Sequence, residues 1–280
     1  MGLFSGFEKL GLGNFENAEI IEKNVVKSDA QQAVVVKTPE EKEREAIFDK
    51  HYTCPVCDLS FSSKMIRTGK IKLAGKDTDL RPFYEDVDPH KYDVVCCDKC
   101  GYSALTRYYG KLSMRQIKEI HDKIGVTFKG LNTDKELYSY DDAIVRYKLA
   151  LVNCIVKGAK NGERAYTSLK LAWVLRGKRE SLDKDKAIEE IKQLYKDELE
   201  CLQNAYDGFV AAMANESFPI AGLDENTLMY LVAELARRLG KYEESARLLG
   251  RVITSRTTPE RLKEQALVIK ELLKKDCMKH

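Results

Sequence analysis

A mainly α-helical fold is what this 280-residue sequence predicts, with a small cysteine-clamped β module ahead of a long run of paired helices. Three observations carry that reading. Two Cys-x2-Cys pairs, Cys54/Cys57 and Cys97/Cys100, lie in a stretch of short β-like pieces and turns. From about residue 138 onward, apolar residues recur at spacings of three and four almost without interruption, which is the helical period. Cap signals at Thr38, Ser113 and Asp224 fall where helical periods begin.

Residues 1–50 are an acidic, loosely patterned arm with a β-branched run, Val34-Val35-Val36. Thr38-Pro39-Glu40-Glu41 then spells a helix start. Thr38 is the N-cap, Pro39 occupies the first position where a missing N–H is harmless, and Glu41 closes a capping box. A helix to about Lys50 follows. Residues 51–127 form the β module and the helix after it. Ile71 and Leu73 alternate with Lys70 and Lys72, and Tyr92-Asp93-Val94-Val95 leads into the cysteines, as strands of a small sheet do. Between them GKDTDLRPFYEDVDPH is turn-rich and is expected to be irregular. Ser113 caps a helix with Met114, Ile117, His121 and Ile124 on one face, and Gly125 ends it.

Residues 128–280 are helical. Ala143, Tyr147, Ala150, Leu151 and Cys154 make one stripe ending near Gly158, and Ala165, Leu169, Ala172, Trp173 and Leu175 make a second ending at Gly177. Ile188, Ile191, Tyr195, Leu199, Leu202, Tyr206, Phe209 and Met213 imply one long helix of roughly thirty residues, about 45 Å. Pro219 and Gly222 break it. Asp224 opens a helix running to Gly240, Tyr242 opens its partner, and Pro259 starts a last helix ending among Lys274 and Lys275. None of these helices can hide its apolar stripe alone, so stacking is the physical solution. LVAELARRLGKYEESARLLGRVI, residues 231–253, resembles part of a tetratricopeptide repeat, with Gly240 at the turn and small Ser245 and Ala246 where helices approach. DDAIVRYKLAL, residues 141–151, resembles the second helix of another.

In a chain expected to stay in a reducing compartment, eight cysteines point to metal or thiol chemistry, plus small buried residues, rather than to disulfides. Two residues between paired cysteines let the backbone form a knuckle whose N–H groups face the sulfurs. Two such knuckles, 39 residues apart here, supply the four thiolates of a tetrahedral zinc site. The residue after each second cysteine needs positive φ, which Gly101 adopts freely and Asp58 tolerates. Cys54, Cys57, Cys97 and Cys100 are therefore the expected ligands of one structural Zn2+. Cys96 also stands at a chelating spacing from Cys100. Alternation along a strand turns it away from the face of Cys97, so it is expected to be a small, half-buried residue beside the site. A thioredoxin-like redox pair is the competing reading of CPVC, but no βαβ context accompanies it. His51 and His90 are alternative ligands by proximity in sequence, and His121 is expected in the core of its helix.

A net charge of +3, from 47 basic and 44 acidic residues, names no polyanionic partner. No phosphate-binding glycine loop, HExxH or GxSxG occurs, and the GLG near residue 11 opens no strand-turn-helix unit. With four protein ligands the zinc has no position for water, so hydrolytic chemistry is not expected. No apolar stretch is long enough to span a bilayer, and the chain reads as cytoplasmic. Phe83, Tyr84, Tyr102, Tyr108 and Tyr109, interleaved with Arg81 and Arg107, fit a mini-core better than a base-stacking platform.

CPVC at residue 54, DTDLRPFY at 77, YDVVCCDKCG followed by SAL, the repeat-like tail and the MGLFSGFEKLGLGNFE start together resemble one bacterial family, domain of unknown function 2225. Cys96 is a departure from the family pattern. The resemblance implies a small zinc-ribbon-like β module followed by an α-helical, tetratricopeptide-like repeat domain. The expected role is that of a non-enzymatic zinc-binding protein whose helices receive a protein or peptide. The alternatives are a nucleic-acid-associated factor using Lys64, Arg67, Lys70, Lys72 and Lys76, and a thiol or metal sensor using Cys96.

Overall fold

The computed structural model describes residues 37–131 and 135–278. The Val34-Val35-Val36 run, the GLG near residue 11 and His280 lie outside them. Helix α1 (Pro39–Ala46) starts as its capping box dictates: Thr38 Oγ1 accepts from the Glu41 amide at 3.2 Å, and the Glu41 carboxylate accepts from the Thr38 amide at 2.8 Å. It ends before the expected Lys50. Ile47, Phe48, Tyr52 and Thr53 are β-branched or aromatic, and they pair as β1 (Ile47–Thr53) with β2 (Ser60–Ile66) along its whole length.

Two further antiparallel hairpins follow, β3 (Leu73–Lys76) with β4 (Pro82–Tyr84) and β5 (Val94–Cys96) with β6 (Ser103–Leu105). The strand expected over 70–73 begins only at Leu73, after a 3-10 turn at Thr68–Lys70. The segment expected to be irregular supplies β4 and a short helical turn, Pro89–Tyr92. Gly75 makes that hairpin possible, because the Phe83 ring crosses where a Cβ would stand.

Helix α2 (Met114–Ile120) runs into one π turn, His121–Gly125. Its buried residues are Ile120 and Ile124. Met114 is 80 % exposed, and His121 points outward to Asp122 Oδ1 at 3.0 Å, so neither belongs to the core face expected for them. The choice between Ile120 and His121, adjacent at the i+3 and i+4 positions from Ile117, goes to the residue that costs nothing to desolvate.

The helical part comprises α3 (Tyr140–Val156), α4 (Asn161–Ser181), α5 (Ile188–Asn215), α6 (Glu225–Arg238), α7 (Tyr242–Thr254) and α8 (Glu260–Cys277). Each packs on its successor. Asp224 Oδ1 caps α6 from the Thr227 amide at 3.0 Å, and Gly240, at φ 75°, turns the chain into α7. Ser245 is buried between helices as expected, whereas Ala246 faces solvent. None of these helices is long and apolar enough to cross a membrane.

Gly177 does not end α4 but sits inside it, buried, where Tyr140 and Asp88 close over the helix. A Cβ there would stand 2.9 Å from Asp88 Oδ2 and from Tyr140 Oη, which are themselves hydrogen-bonded at 3.0 Å. Gly177→Ala should therefore destabilise the fold by about 1–3 kcal/mol, despite alanine's better helix propensity. Gly250, which has open space around it in α7, should gain up to about 1 kcal/mol from the same change. Urea denaturation of the two variants checks the pair.

The β5–β6 hairpin beds on α3. Val94 and Leu105 join Ala143, Tyr147 and Leu175 in one apolar cluster, and Asn153 Nδ2 donates to Gly101 O at 2.9 Å. The β3–β4 hairpin reaches further, to α4, α5 and α6. Arg176, buried on α4, holds Asp79 through Nη2 at 2.6 Å and Nη1 at 3.1 Å, Asp77 at 2.9 Å, and Glu198 of α5 at 2.7 Å. Tyr230 Oη donates to Thr78 O at 2.9 Å, and Thr78 Oγ1 to Glu234 at 2.6 Å, where Arg238 also pairs. From Thr38 onward the described residues make one compact unit by these contacts.

His90 is buried beside Trp173. Its Nε2–H donates to Pro82 O at 3.2 Å, and Nδ1 accepts from Lys170 Nζ at 3.4 Å. Burial, and then the Lys170 charge, push its pKa down to about 4. At neutral pH the ring is neutral in both states and contributes nothing to pH dependence. Below the ordinary pKa of about 6.5 the unfolded chain takes a proton that the fold refuses, so stability falls until about pH 4. The accumulated loss should be on the order of 3 kcal/mol. Denaturation midpoints between pH 7 and 4 should show that slope, and His90→Gln should flatten it.

Candidate metal centre

The two cysteine pairs occupy the tips of two hairpins. Cys54–Leu59 connects β1 to β2, and Cys97–Tyr102 connects β5 to β6. Both loops use the same backbone bonds. The Cys54 amide donates to Leu59 O at 3.0 Å and the Asp58 amide to Cys54 O at 2.9 Å; the Cys97 amide donates to Tyr102 O at 2.8 Å and the Gly101 amide to Cys97 O at 3.0 Å. Each loop then needs a left-handed residue in the same place, and φ is 56° at Asp58 and 73° at Gly101. Gly101 has a second reason to lack a side chain: a Cβ would stand 2.7 Å from the Phe128 ring.

The sulfurs of Cys54, Cys57, Cys97 and Cys100 all lie within 4.8 Å of one another. Cys54 and Cys100 are 3.5 Å apart, and Cys57 and Cys97 are 3.7 Å apart. A tetrahedron of sulfurs at about 2.3 Å from zinc has edges of about 3.8 Å, and a disulfide would need about 2.05 Å. The thiols are free. The donor set, its spacing and its geometry fit one thiophilic metal ion held entirely by protein.

Packing fixes the two tips against each other. Tyr52, Phe61, Tyr102 and Tyr109 form an aromatic cluster beneath them, with centroid separations of 4.9 to 6.2 Å, and Ile120 and Ile124 cover it. Tyr102 and Tyr109 thus belong to a mini-core, as expected. Arg107, by contrast, lies over the Tyr108 and Tyr166 rings and donates to Ala221 O.

Charge within the cluster is uneven. Thiol hydrogen bonds from Cys100 and Cys54 pull the Cys97 pKa down to about 2. The same bonding, to Cys54 and then Cys97, together with burial, pushes Cys100 well up. At Cys54 the Cys100 contact works downward, but Cys97 and burial outweigh it and leave the thiol at about 12. A thiolate in this cluster is favoured by the hydrogen bonds of its neighbours, and a second charge beside it is opposed.

Cys96 is buried and lies off the cluster, its Sγ 3.8 Å from Cys97 O. Burial pushes its thiol up against the opposing influence of Ser103 and of Arg146, a buried guanidinium stacked 4.0 Å over Tyr138. His51 is exposed and bonded to Ser62, His90 is committed to Pro82 and Lys170, and neither joins the sulfurs. Cys154 and Cys201 are packed among helices and Cys277 is exposed. The Asp77–Arg81 turn was invisible as a docking element in the sequence. It lies in the stretch expected to be turn-rich and irregular, and its partners on the helices are distant in sequence.

The model of a bacterial family described as "Uncharacterized protein conserved in bacteria (DUF2225)" matches residues 47–273. No curated protein and no solved structure matches the chain.

Proposed function

The chain belongs to that bacterial family, and from this premise we propose that it is a non-enzymatic zinc-binding protein of the cytoplasm whose helical domain receives a protein or peptide partner. The convergence of four sulfurs within 4.8 Å carries the reading. A zinc ion with four thiolate ligands keeps no position for water or substrate, so it serves as a staple. The staple ties the β1–β2 hairpin to the β5–β6 hairpin, which beds on α3, and the opposite side of α3 supports the interaction role. Val145, Val152 and Ile155, spaced by seven and three, are 48, 45 and 66 % exposed there. Such a stripe on a helix suits a partner's apolar face.

Nucleic acid has less to work with. Of the five basic residues offered for it, Lys64 pairs with Asp49, Lys72 with Glu85, and Arg67 donates to Ile47 O while stacking on Phe48. Affinity purification of the tagged protein from its own host, with zinc measured on the same sample, tests the proposal. One zinc per chain and a defined protein partner lost on Val152→Asp/Ile155→Asp substitution are expected. Recovery of nucleic acid alone, with binding that falls steeply as salt rises, would overturn it.

A further inference from the structure

We propose that a cavity between the β3–β4 hairpin and helices α4, α6 and α8 binds a small amphipathic carboxylate, an apolar body with one anionic head. The cavity holds about 530 Å³, inside the ~300–1,000 Å³ span of small-ligand sites. Its walls are largely apolar: Leu80 from the hairpin, Leu169 and Trp173 from α4, Leu231 from α6 and Leu262 from α8. Three cations line it, Lys76, Lys170 and Arg261, and no carboxylate does.

Lys170 is already committed to Asp93 at 2.9 Å. Lys76 and Arg261 are exposed and pair with no acid among the described residues. Two unneutralised cations at an apolar cavity favour an anion with a hydrocarbon body. The remaining polar groups narrow the class. The side-chain acceptors on the lining are the Thr227 and Tyr166 hydroxyls and the Gln265 amide oxygen, so a peptide's main-chain N–H groups would find few partners. A fatty or aromatic acid brings no such donors.

The walls are also set in advance, at a visible cost. Leu80 is held at φ 68°, a left-handed conformation worth roughly 1–2 kcal/mol of strain for a side chain with a Cβ. The strain is over-determined by the Leu80 amide bonded to Asp77 O at 3.0 Å and the Asp77 amide bonded to Arg81 O at 2.8 Å. Its effect is to present the Leu80 side chain to the cavity. Trp173 is fixed likewise: its indole N–H donates to Asp79 Oδ2 at 3.2 Å, and Asp79 is held by Arg176. A pre-formed apolar wall lowers the entropy that binding must overcome.

Trp173 is the chain's single tryptophan, so its fluorescence reports from the wall of this cavity. The full-length, zinc-loaded protein should be titrated with octanoate, octanol and octylammonium. Octanoate should give a saturable change in Trp173 emission with half-saturation below about 1 mM, and octanol and octylammonium should bind at least about tenfold more weakly. Lys76→Gln/Arg261→Gln should weaken octanoate about tenfold and leave octanol unchanged, which separates lost charge from lost fold. Equal binding of octanol and octanoate, or no saturable response to octanoate up to about 10 mM, would overturn the proposal. So would a leucine-terminated tetrapeptide binding more than about tenfold more tightly than octanoate, which would assign the cavity to a peptide terminus instead.

Discussion

If the four sulfurs hold the proposed zinc, Cys97→Ser is expected to abolish its binding and unfold the β1–β2 and β5–β6 hairpins together. The serine hydroxyl is a poor ligand for a thiophilic metal, and the change removes one of the four converging sulfurs. Structural zinc in small modules contributes on the order of 10–16 kcal/mol of apparent binding free energy, comparable to the whole stability of a domain. Elemental analysis should fall from one zinc per chain to a small fraction, and calorimetry should show loss of the most stable transition. Cys201→Ser, which removes a thiol packed among the helices, should leave the zinc content unchanged. Retention of a full equivalent by Cys97→Ser would show that the four sulfurs are not the metal's ligands.

The same centre should be acid-labile, with a sign fixed by its thiols. Cys54 and Cys100 are both pushed up, so between pH 6 and 9 the metal-free protein keeps protons on them that zinc must expel. Affinity should then rise by about two logarithmic units per pH unit, and loading should release at least about two protons per zinc. A pH-indicator titration at constant ionic strength measures the release directly.

Asp79→Ala is the second large effect expected, and it tests the joint between the β3–β4 hairpin and the helices. Asp79 is fully buried. Burial alone would raise its pKa, but Arg176 and Arg238 outweigh that and hold it below the usual carboxylate range. Removing the carboxylate leaves the Arg176 guanidinium buried with part of its charge uncompensated, and the Trp173 indole N–H without its acceptor. Loss of one partner from such a pair costs about 3–5 kcal/mol. Arg176 keeps Asp77 and Glu198, so the lower end applies, a fall of about 6–12 °C in Tm for a unit of this size. Asp79→Asn, which retains a hydrogen-bond acceptor for Trp173, should recover part of the loss. Thermal unfolding of the three proteins decides it.

What could be read from the residues was what local geometry alone determines. Thr38, Pro39 and Glu41 form their capping box because those three side chains suffice for one. Asp58 and Gly101 sit at positive φ because a two-residue knuckle leaves no other choice. The meeting of the two cysteine pairs followed from their chemistry. What could not be read depended on distant partners. Ile47–Thr53 became a strand because β2 was waiting for it. Gly177 looked like a helix end and is a place where another helix's tyrosine arrives. His121 lost the buried position to Ile120, a choice made by the sulfurs' aromatic bed rather than by the helix itself. Asp77, Thr78 and Asp79 read only as part of an irregular, turn-rich stretch because the charges that claim them lie about a hundred or more positions further along.

That last separation has a consequence for how the chain is made. The β3–β4 turn leaves the ribosome well before Arg238, the cation that with Arg176 completes its surroundings. At synthesis rates of ~5–20 residues per second, the interval is on the order of ten seconds or more. During that time its carboxylates stay hydrated while the cysteine-bearing tips can already be in place. Consolidation of the joint therefore waits until α6 has been made and can receive the turn.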